Sequence, residues 1–255
     1  MRRRHRDQTG RFLAEGPQAV REALAGGHAI ELFVEPGRGH ESLAAEGEQA
    51  NIRVEYGDGV ALAALTETVT PQGIVAVCRH LDTDLRTVAS ARPNLVVVLA
   101  GIADPGNAGT VLRTADAAGA GAVVFPDGSV DPYNGKCIRA SAGSLFHVPL
   151  VRGGTPEEAV NALRASGLAV YAADAHGGHD LDDLADDGRL AGRTAWLFGS
   201  EAHGLTAQLA AMADAQVRVP IHGRAESLNL AAAAAVCLYA SARAQRHRPT
   251  QGVST

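Results

Sequence analysis

The chain is 255 residues long, 46% hydrophobic and 20% charged, an ordinary globular composition that excludes wholesale disorder. Its formal net charge of -5 argues, as a sum, against nucleic acid as the first partner to consider, but the charge is unevenly placed. Arg2, Arg3, Arg4, Arg6 and Arg11 against Asp7 give the first eleven residues +4, and Arg243, Arg246 and Arg248 add +3 near the other end, so the body carries -12. Aromatic residues are only 4%, which leaves Ala, Val and Leu to fill the core. The N-terminal arginines run into Asp7-Gln8-Thr9-Gly10 rather than an apolar segment, so no secretory signal is expected. No apolar run is long enough for a membrane span. Cys78, Cys137 and Cys237 are odd in number and far apart, which suits buried thiols in a reducing compartment and no zinc site. The ten histidines form no cluster with metal-ligand spacing, and His176 and His179 around Gly-Gly read as an exposed loop.

In chain order, Pro17 opens a helix that Gly26-Gly27 ends, with Val20, Ala23 and Leu24 on one face. A strand over 29–34 and a turn at Glu35-Pro36-Gly37 follow. The pattern continues with a helix over 42–49, an extended stretch over 52–56, a helix over 60–65 and a buried strand over 73–78. The polar stretch 81–93 reads as a linker. Beyond it, Leu95-Val96-Val97-Val98-Leu99 is apolar throughout, as a strand covered on both faces should be. Helices near 108–119, 132–142, 155–166 and 204–212 then alternate with strands at 121–125, 145–150, 168–173, 194–198 and 216–219. An Asp- and Gly-rich loop follows the 168–173 strand, and a long Ala-rich helix ends the domain. This alternation predicts an α/β protein with a mostly parallel sheet and helices on both faces. The partition expected is a basic tail over 1–11, a small domain over 12–80, a linker over 81–93, a larger domain over 94–248 and a tail over 249–255.

Ligands in such sheets bind beyond the carboxyl ends of the strands, and three loops there have unusual composition. The first, Gly101 to Thr110, offers Asn107 as a cap for the helix after it, with Arg113 emerging near the loop mouth. Read locally, it is a structural turn with a surface arginine. The second, Leu197-Phe198-Gly199-Ser200-Glu201, places a glycine directly after a buried strand, where backbone groups can approach a ligand closely, and puts Glu201 ahead of a helix start. The third runs from Pro220 through Glu226-Ser227-Leu228-Asn229-Leu230 into five alanines, and Ser227 is the local candidate for the helix cap. No G-x-G-x-x-G, Walker-type Gly-Lys-Ser/Thr or G-x-S-x-G motif occurs, so dinucleotide, P-loop and α/β-hydrolase chemistry are unsupported.

Taken together, the three segments resemble the SpoU (TrmH-type) RNA 2′-O-ribose methyltransferases of the SPOUT superfamily. Asn107-x-Gly109-x₃-Arg113-Thr114-Ala115 is similar to the first family motif, Leu197 to Leu205 to the second, and Pro220 with Glu226 to Leu230 to the third. Asp131-Pro132-Tyr133-Asn134 and Arg139 to Gly143 also match segments common there. Ser200 departs from the pattern, standing where the family usually carries Asn. The N-terminal unit is similar to an L30e-like substrate-binding domain. The resemblance implies a trefoil-knotted C-terminal domain, S-adenosylmethionine as cofactor, an obligate homodimer in the cytoplasm, and RNA as partner with neither membrane nor metal. It places the cofactor against Leu197, Gly199, Ala202, Ile221 and Leu228, and the chemistry at Arg113, supported by Asn107, Glu201, Ser227 and Asn229. A guanidinium is a poor proton acceptor, so Arg113 is expected to stabilise the 2′-alkoxide or grip the adjacent phosphate. The arginines at 2, 3, 4, 6 and 11 are expected on RNA phosphates, and the acidic loop from Asp174 to Asp187 in solvent. The N-terminal domain, absent from minimal tRNA-type enzymes, favours rRNA over tRNA. A non-catalytic RNA-binding protein and an enzyme of antibiotic resistance are the alternatives.

Overall fold

A computed structural model describes residues 3–66, 68 and 70–246. The chain clusters into two compact units that interleave along the sequence. One holds the residues up to Asp82 together with Pro105–Arg113 and Val130–His147; the other holds Thr83–Asp104, Thr114–Ser129 and the chain from Val148 onward.

The first unit is built from α1 (Arg3–Thr9), β1 (Arg11–Glu15), α2 (Pro17–Ala25), β2 (Ala29–Val34), α3 (Glu41–Gln49), β3 (Arg53–Tyr56), α4 (Gly59–Leu65) and β4 (Ile74–Arg79). Its four strands form one sheet in the order β1-β4-β2-β3, with β4 antiparallel to β1 and β2 and β3 parallel to β2. Pro17 stands at the start of α2, where its missing N–H is not needed, and Asp58 caps α4 by accepting from Ala61 N at 2.8 Å.

Next come α5 (Leu85–Ala91), β5 (Leu95–Leu99), α6 (Pro105–Ala118), β6 (Ala122–Phe125), α7 (Gly135–Ser141), β7 (Leu150–Arg152), α8 (Pro156–Ala165), β8 (Ala169–Ala173), β9 (His179–Asp180), α9 (Leu181–Asp186), β10 (Thr194–Phe198), α10 (Ala207–Ala211), β11 (Ala215–Arg218) and α11 (Leu230–Arg246). The second unit's seven strands pair in parallel throughout, in the order β7-β6-β5-β10-β8-β11-β9. Helices cover both faces. Val96, Val98, Ala195 and Leu197 pack with Val88 of α5, Val160 and Leu163 of α8 and Leu209 of α10. On the other face the indole N–H of the fully buried Trp196 donates to Ser241 Oγ of α11 at 2.8 Å. After β5 the chain builds outward to β6 and β7, then returns on the other side through β8, with β10 inserted beside β5. The strand order therefore reverses between β5 and β10, where sheets of this type open a crevice for ligands.

Several local expectations are corrected. Within the stretch expected as a basic tail over 1–11, Arg3–Thr9 is helical and Arg11 begins a strand. The presumed linker contains α5, whose N-cap Asp84 accepts from Arg86 N at 2.7 Å. Residues 145–150 were expected as a strand, but Ser144–Phe146 is a 3-10 turn and β7 starts at Leu150. The acidic loop condenses into β9, α9 and a 3-10 turn over Arg189–Ala191. Asp180 there caps α9, accepting from Asp182 N at 3.0 Å, and also meets Arg218 at 3.2 Å. Asp182, Asp183, Asp186 and Asp187 do face solvent. Cys78, Cys137 and Cys237 are buried, and none of the three is in a disulfide.

The first unit has its own polar and aromatic centre. Phe12 stacks on Tyr133 at 4.6 Å between centroids, and Tyr133 on His80 at 4.2 Å. The Tyr133 hydroxyl accepts from Leu81 N at 2.6 Å and donates to Asp82 Oδ1 at 2.9 Å. Arg6, in the middle of α1, places Nε and Nη2 at 2.9 and 2.7 Å from Asp131 Oδ2, with side chains only 7% and 3% exposed. Asp131 Oδ1 accepts from Tyr133 N at 3.0 Å.

Candidate functional site

The β5–α6 loop leaves the sheet through Gly101, whose φ of +72° lies in the left-handed region that glycine adopts freely. Ser129, buried in the loop after β6, fixes this exit: its Oγ donates to Leu99 O at 2.6 Å and accepts from Gly101 N at 2.9 Å. Sequence reasoning gave Ser129 no role, because the bonds that define it come from thirty residues away. α6 begins at Pro105, not after Asn107, so Asn107 lies in the first helical turn and is not its cap. Proline at the first helical position has no N–H to leave unpaired, which is why the helix starts early. Along α6, Ala108, Val111, Leu112 and Ala115 are fully buried, while Thr110, Arg113 and Ala117 are exposed. Arg113 stands eight residues into the helix, about 12 Å along its axis, rather than at the loop mouth.

Gly109 answers to packing. A Cβ there would overlap the carbonyl oxygen of Cys137 and come to 2.7 Å from the Ala140 side chain, so α6 and α7 touch through this glycine. Asn134 caps α7, accepting from Lys136 N at 2.9 Å.

The β10 loop folds back on itself. Ser200 and Gly204 exchange backbone hydrogen bonds of 3.1 and 2.9 Å, and Ser200 Oγ accepts from His203 N at 3.2 Å. A Cβ on Gly199 would overlap the Gly204 carbonyl carbon and the Leu205 amide. The need for glycine thus comes from the loop's own return, and Ser200 closes that turn with its short side chain. Leu197 is buried in the β10 ladder with its side chain in the core, so Phe198 and Gly199 mark the strand's end. The Glu201 carboxylate reaches across to the β5 exit: its two oxygens accept from Ala103 N at 3.1 Å and Asp104 N at 3.2 Å. It serves the helix that starts at Pro105, not the one after its own loop. Two of the motif loops are thereby fastened together beside the point where the strand order reverses.

The third loop, between β11 and α11, is exposed from Ile221 through Asn229. Asn229, not Ser227, caps α11: its Oδ1 accepts from Ala231 N at 2.9 Å and its backbone carbonyl from Ala233 N at 2.9 Å. Ser227 lies three residues before Leu230, too early for that role. Ile221 and Leu228 are 37% and 39% exposed, an unusual placement for two large apolar side chains on one loop. Ala202 is exposed on the β10 loop.

The expected phosphate-binding arginines separate into different environments. Arg6 is buried in its ion pair and is not available at the surface. Arg3 is exposed beside Asp7 at 3.9 Å, Arg4 and Arg11 are exposed, and Arg2 lies outside the described residues, as does the expected C-terminal tail over 249–255. Among the described residues no group of three or more His, Cys, Asp or Glu is arranged to hold a metal ion. No described helix is long and apolar enough to cross a membrane.

Residues 94–239 match the profile of the SpoU rRNA Methylase family, more than half of the chain. The chain belongs to that family. Residues 1–76 match the MRM3-like substrate binding domain. Among curated relatives of this SpoU protein, the 23S rRNA (guanosine(2553)-2′-O)-methyltransferase RlmP of Bacillus subtilis is 38% identical over 238 residues, covering 93% of this chain and 90% of its own. A crystal structure of an AdoMet-bound rRNA methyltransferase from Sinorhizobium meliloti superposes with a TM-score of 0.83 at 33% identity, over 95% of this chain and 90% of that one. The SpoU methyltransferase AviRb from Streptomyces viridochromogenes, in complex with AdoMet, gives 0.82 at 30% identity, over 96% and 93%.

Proposed function

We propose that the protein transfers a methyl group from S-adenosylmethionine to a ribose 2′-hydroxyl of 23S rRNA. The observation that carries this reading is the clasp between Glu201 and the amides of Ala103 and Asp104, which fastens two motif loops beside the strand-order reversal. The residues there suit the cofactor: Ile221 and Leu228 are exposed on the third loop as apolar cover for a bound purine. When bound, the cofactor supplies an electrophilic methyl on a sulfonium. The chain's part is to hold the ribose in line with it, to exclude water and to stabilise charge developing on the 2′-oxygen. We assign that last role to exposed Arg113, whose planar fork stabilises the alkoxide or grips the adjoining phosphate. Glu201 and Asn229 set the loops through the hydrogen bonds described above, and Asn107 and Ser227 belong to the same three motifs. Leu197, Gly199 and Ala202 complete the cofactor side.

Family membership further supports a knotted return of the chain from β11 to α11, a homodimer and a cytoplasmic location. Val236 and Tyr239, 41% and 48% exposed on α11, provide an apolar stripe for the second copy. The test is transfer of labelled methyl to unmodified 23S rRNA by the wild type and by Arg113→Ala. Ribose-methylated nucleotides from the wild type alone support the reading, and label on a base would refute it.

A further inference from the structure

We propose that Arg11 and Arg79 form a clamp of two guanidiniums for a single phosphodiester of the RNA substrate. The proposal rests on the RNA reading above and assigns a binding role to Arg79. The two residues are register partners on the antiparallel strands β1 and β4. Arg79 N donates to His28 O on the β2 side at 3.2 Å, and on the β1 side His80 N donates to Gly10 O at 2.8 Å. Arg11 and Arg79 are therefore a non-hydrogen-bonded pair, the kind in which opposite side chains leave the same face with Cβ atoms about 4.5–5.5 Å apart.

Both arginines are exposed, and neither is ion-paired among the described residues. The contrast on the same sheet is Arg53, which lies 2.6 Å from Glu55 and 3.4 Å from Glu31. Along the face, the next rung from Arg11 and Arg79 is Leu13 with Val77, continued on β2 by Glu31, whose carboxylate is 3.4 Å from Arg53. One rung further, Glu15 is engaged by Arg139 at 3.1 Å and by Thr68 at 2.5 Å. Like charges directly opposite each other destabilise a strand pair. An anion between the two forks reverses that sign, and phosphate oxygens match the guanidinium geometry. Such a contact would position RNA without reading its sequence.

The experiment is equilibrium binding of unmodified 23S rRNA transcript across a salt series, for the wild type, Arg11→Gln, Arg79→Gln, the double variant and Arg53→Gln. Sharing one phosphate predicts that each single variant binds several-fold more weakly and that the slope of log K against log salt falls by at most one phosphate, about 0.7–0.9. The double variant should lose little more than either single one, and Arg53→Gln should stay near the wild type. Thermal melting of Arg79→Gln at or above the wild-type midpoint would accord with relief of the repulsion. Wild-type affinity and slope in Arg79→Gln would overturn the clamp, as would a double variant losing two phosphates' worth of slope. Should the wild type neither bind nor methylate rRNA, the RNA reading falls and the clamp with it. Binding and methylation by the wild type, with Arg79→Gln identical, would defeat the clamp alone.

Discussion

Arg6→Met tests whether the N-terminal arginines are one basic tail or distinct parts. The substitution leaves Asp131, 3% exposed at its side chain, with Tyr133 N as the hydrogen bond seen at its carboxylate apart from Arg6's own. Two short bonds to one oxygen disappear, at 2.9 and 2.7 Å, in a setting where solvent screens little. Removing one partner of such a buried pair costs about 3–5 kcal/mol, a large part of the ~5–15 kcal/mol that stabilises a domain. Hydrogen exchange followed by mass spectrometry on β1 and β4 peptides reads the local effect, since Trp196 reports only on the other unit. Opening should become roughly 10²- to several 10³-fold more frequent. The double variant Arg6→Met/Asp131→Asn, which removes both charges and keeps an acceptor for Tyr133 N, should recover most of the protection. Exchange within about threefold of the wild type would refute the burial argument. So would an RNA salt slope reduced in folded Arg6→Met, because that would return Arg6 to the phosphate-contacting set.

Gly109→Ala should destabilise the protein by about 1–3 kcal/mol through overlap with the Cys137 carbonyl, read as a lower denaturant midpoint with unchanged slope. Ser241→Ala leaves the buried Trp196 indole N–H without its acceptor and should cost about 1–3 kcal/mol, visible in tryptophan fluorescence unfolding. Glu201→Ala should raise the Kd for S-adenosylmethionine in calorimetry several-fold while leaving the melting of the first unit unchanged, because it releases the Ala103 and Asp104 amides. Burial pushes the Cys237 thiol up to about 12 and raises Cys78 further. In the unfolded chain these thiols ionise near about 8.5, so their contribution to stability is complete below that pH and is lost as the pH rises toward the folded value. Between pH 7.5 and 10.5 the wild type should therefore lose more stability than Cys237→Ala, and parallel losses would contradict this.

The sequence made the central strands plain because β5 and β10 are apolar at nearly every position, which only a sheet covered on both faces explains. The three loops were legible by composition, and their order along the chain was specific. What stayed hidden depends on distant partners. Arg6 reads as one of a run of arginines until Asp131, 125 residues later, buries it. Gly199 reads as a ligand-facing glycine, yet it is required by the return of its own loop, and Gly109, a bare motif position in the sequence, is required by the crossing of α6 and α7. Pro105 outranked Asn107 in setting the helix start, and Asn229 outranked Ser227 as cap because α11 begins directly after it. The net charge of -5 concealed the cross-strand arginines, since a sum carries no position.

The most direct measurement is nucleotide-resolved mapping of ribose methylation in total RNA stripped of modification and incubated with labelled S-adenosylmethionine and the protein. The account predicts methylation at a discrete ribose 2′-oxygen of 23S rRNA with the wild type and its loss in Arg113→Ala. Methylation of a base, of tRNA alone, or undiminished by Arg113→Ala would contradict it.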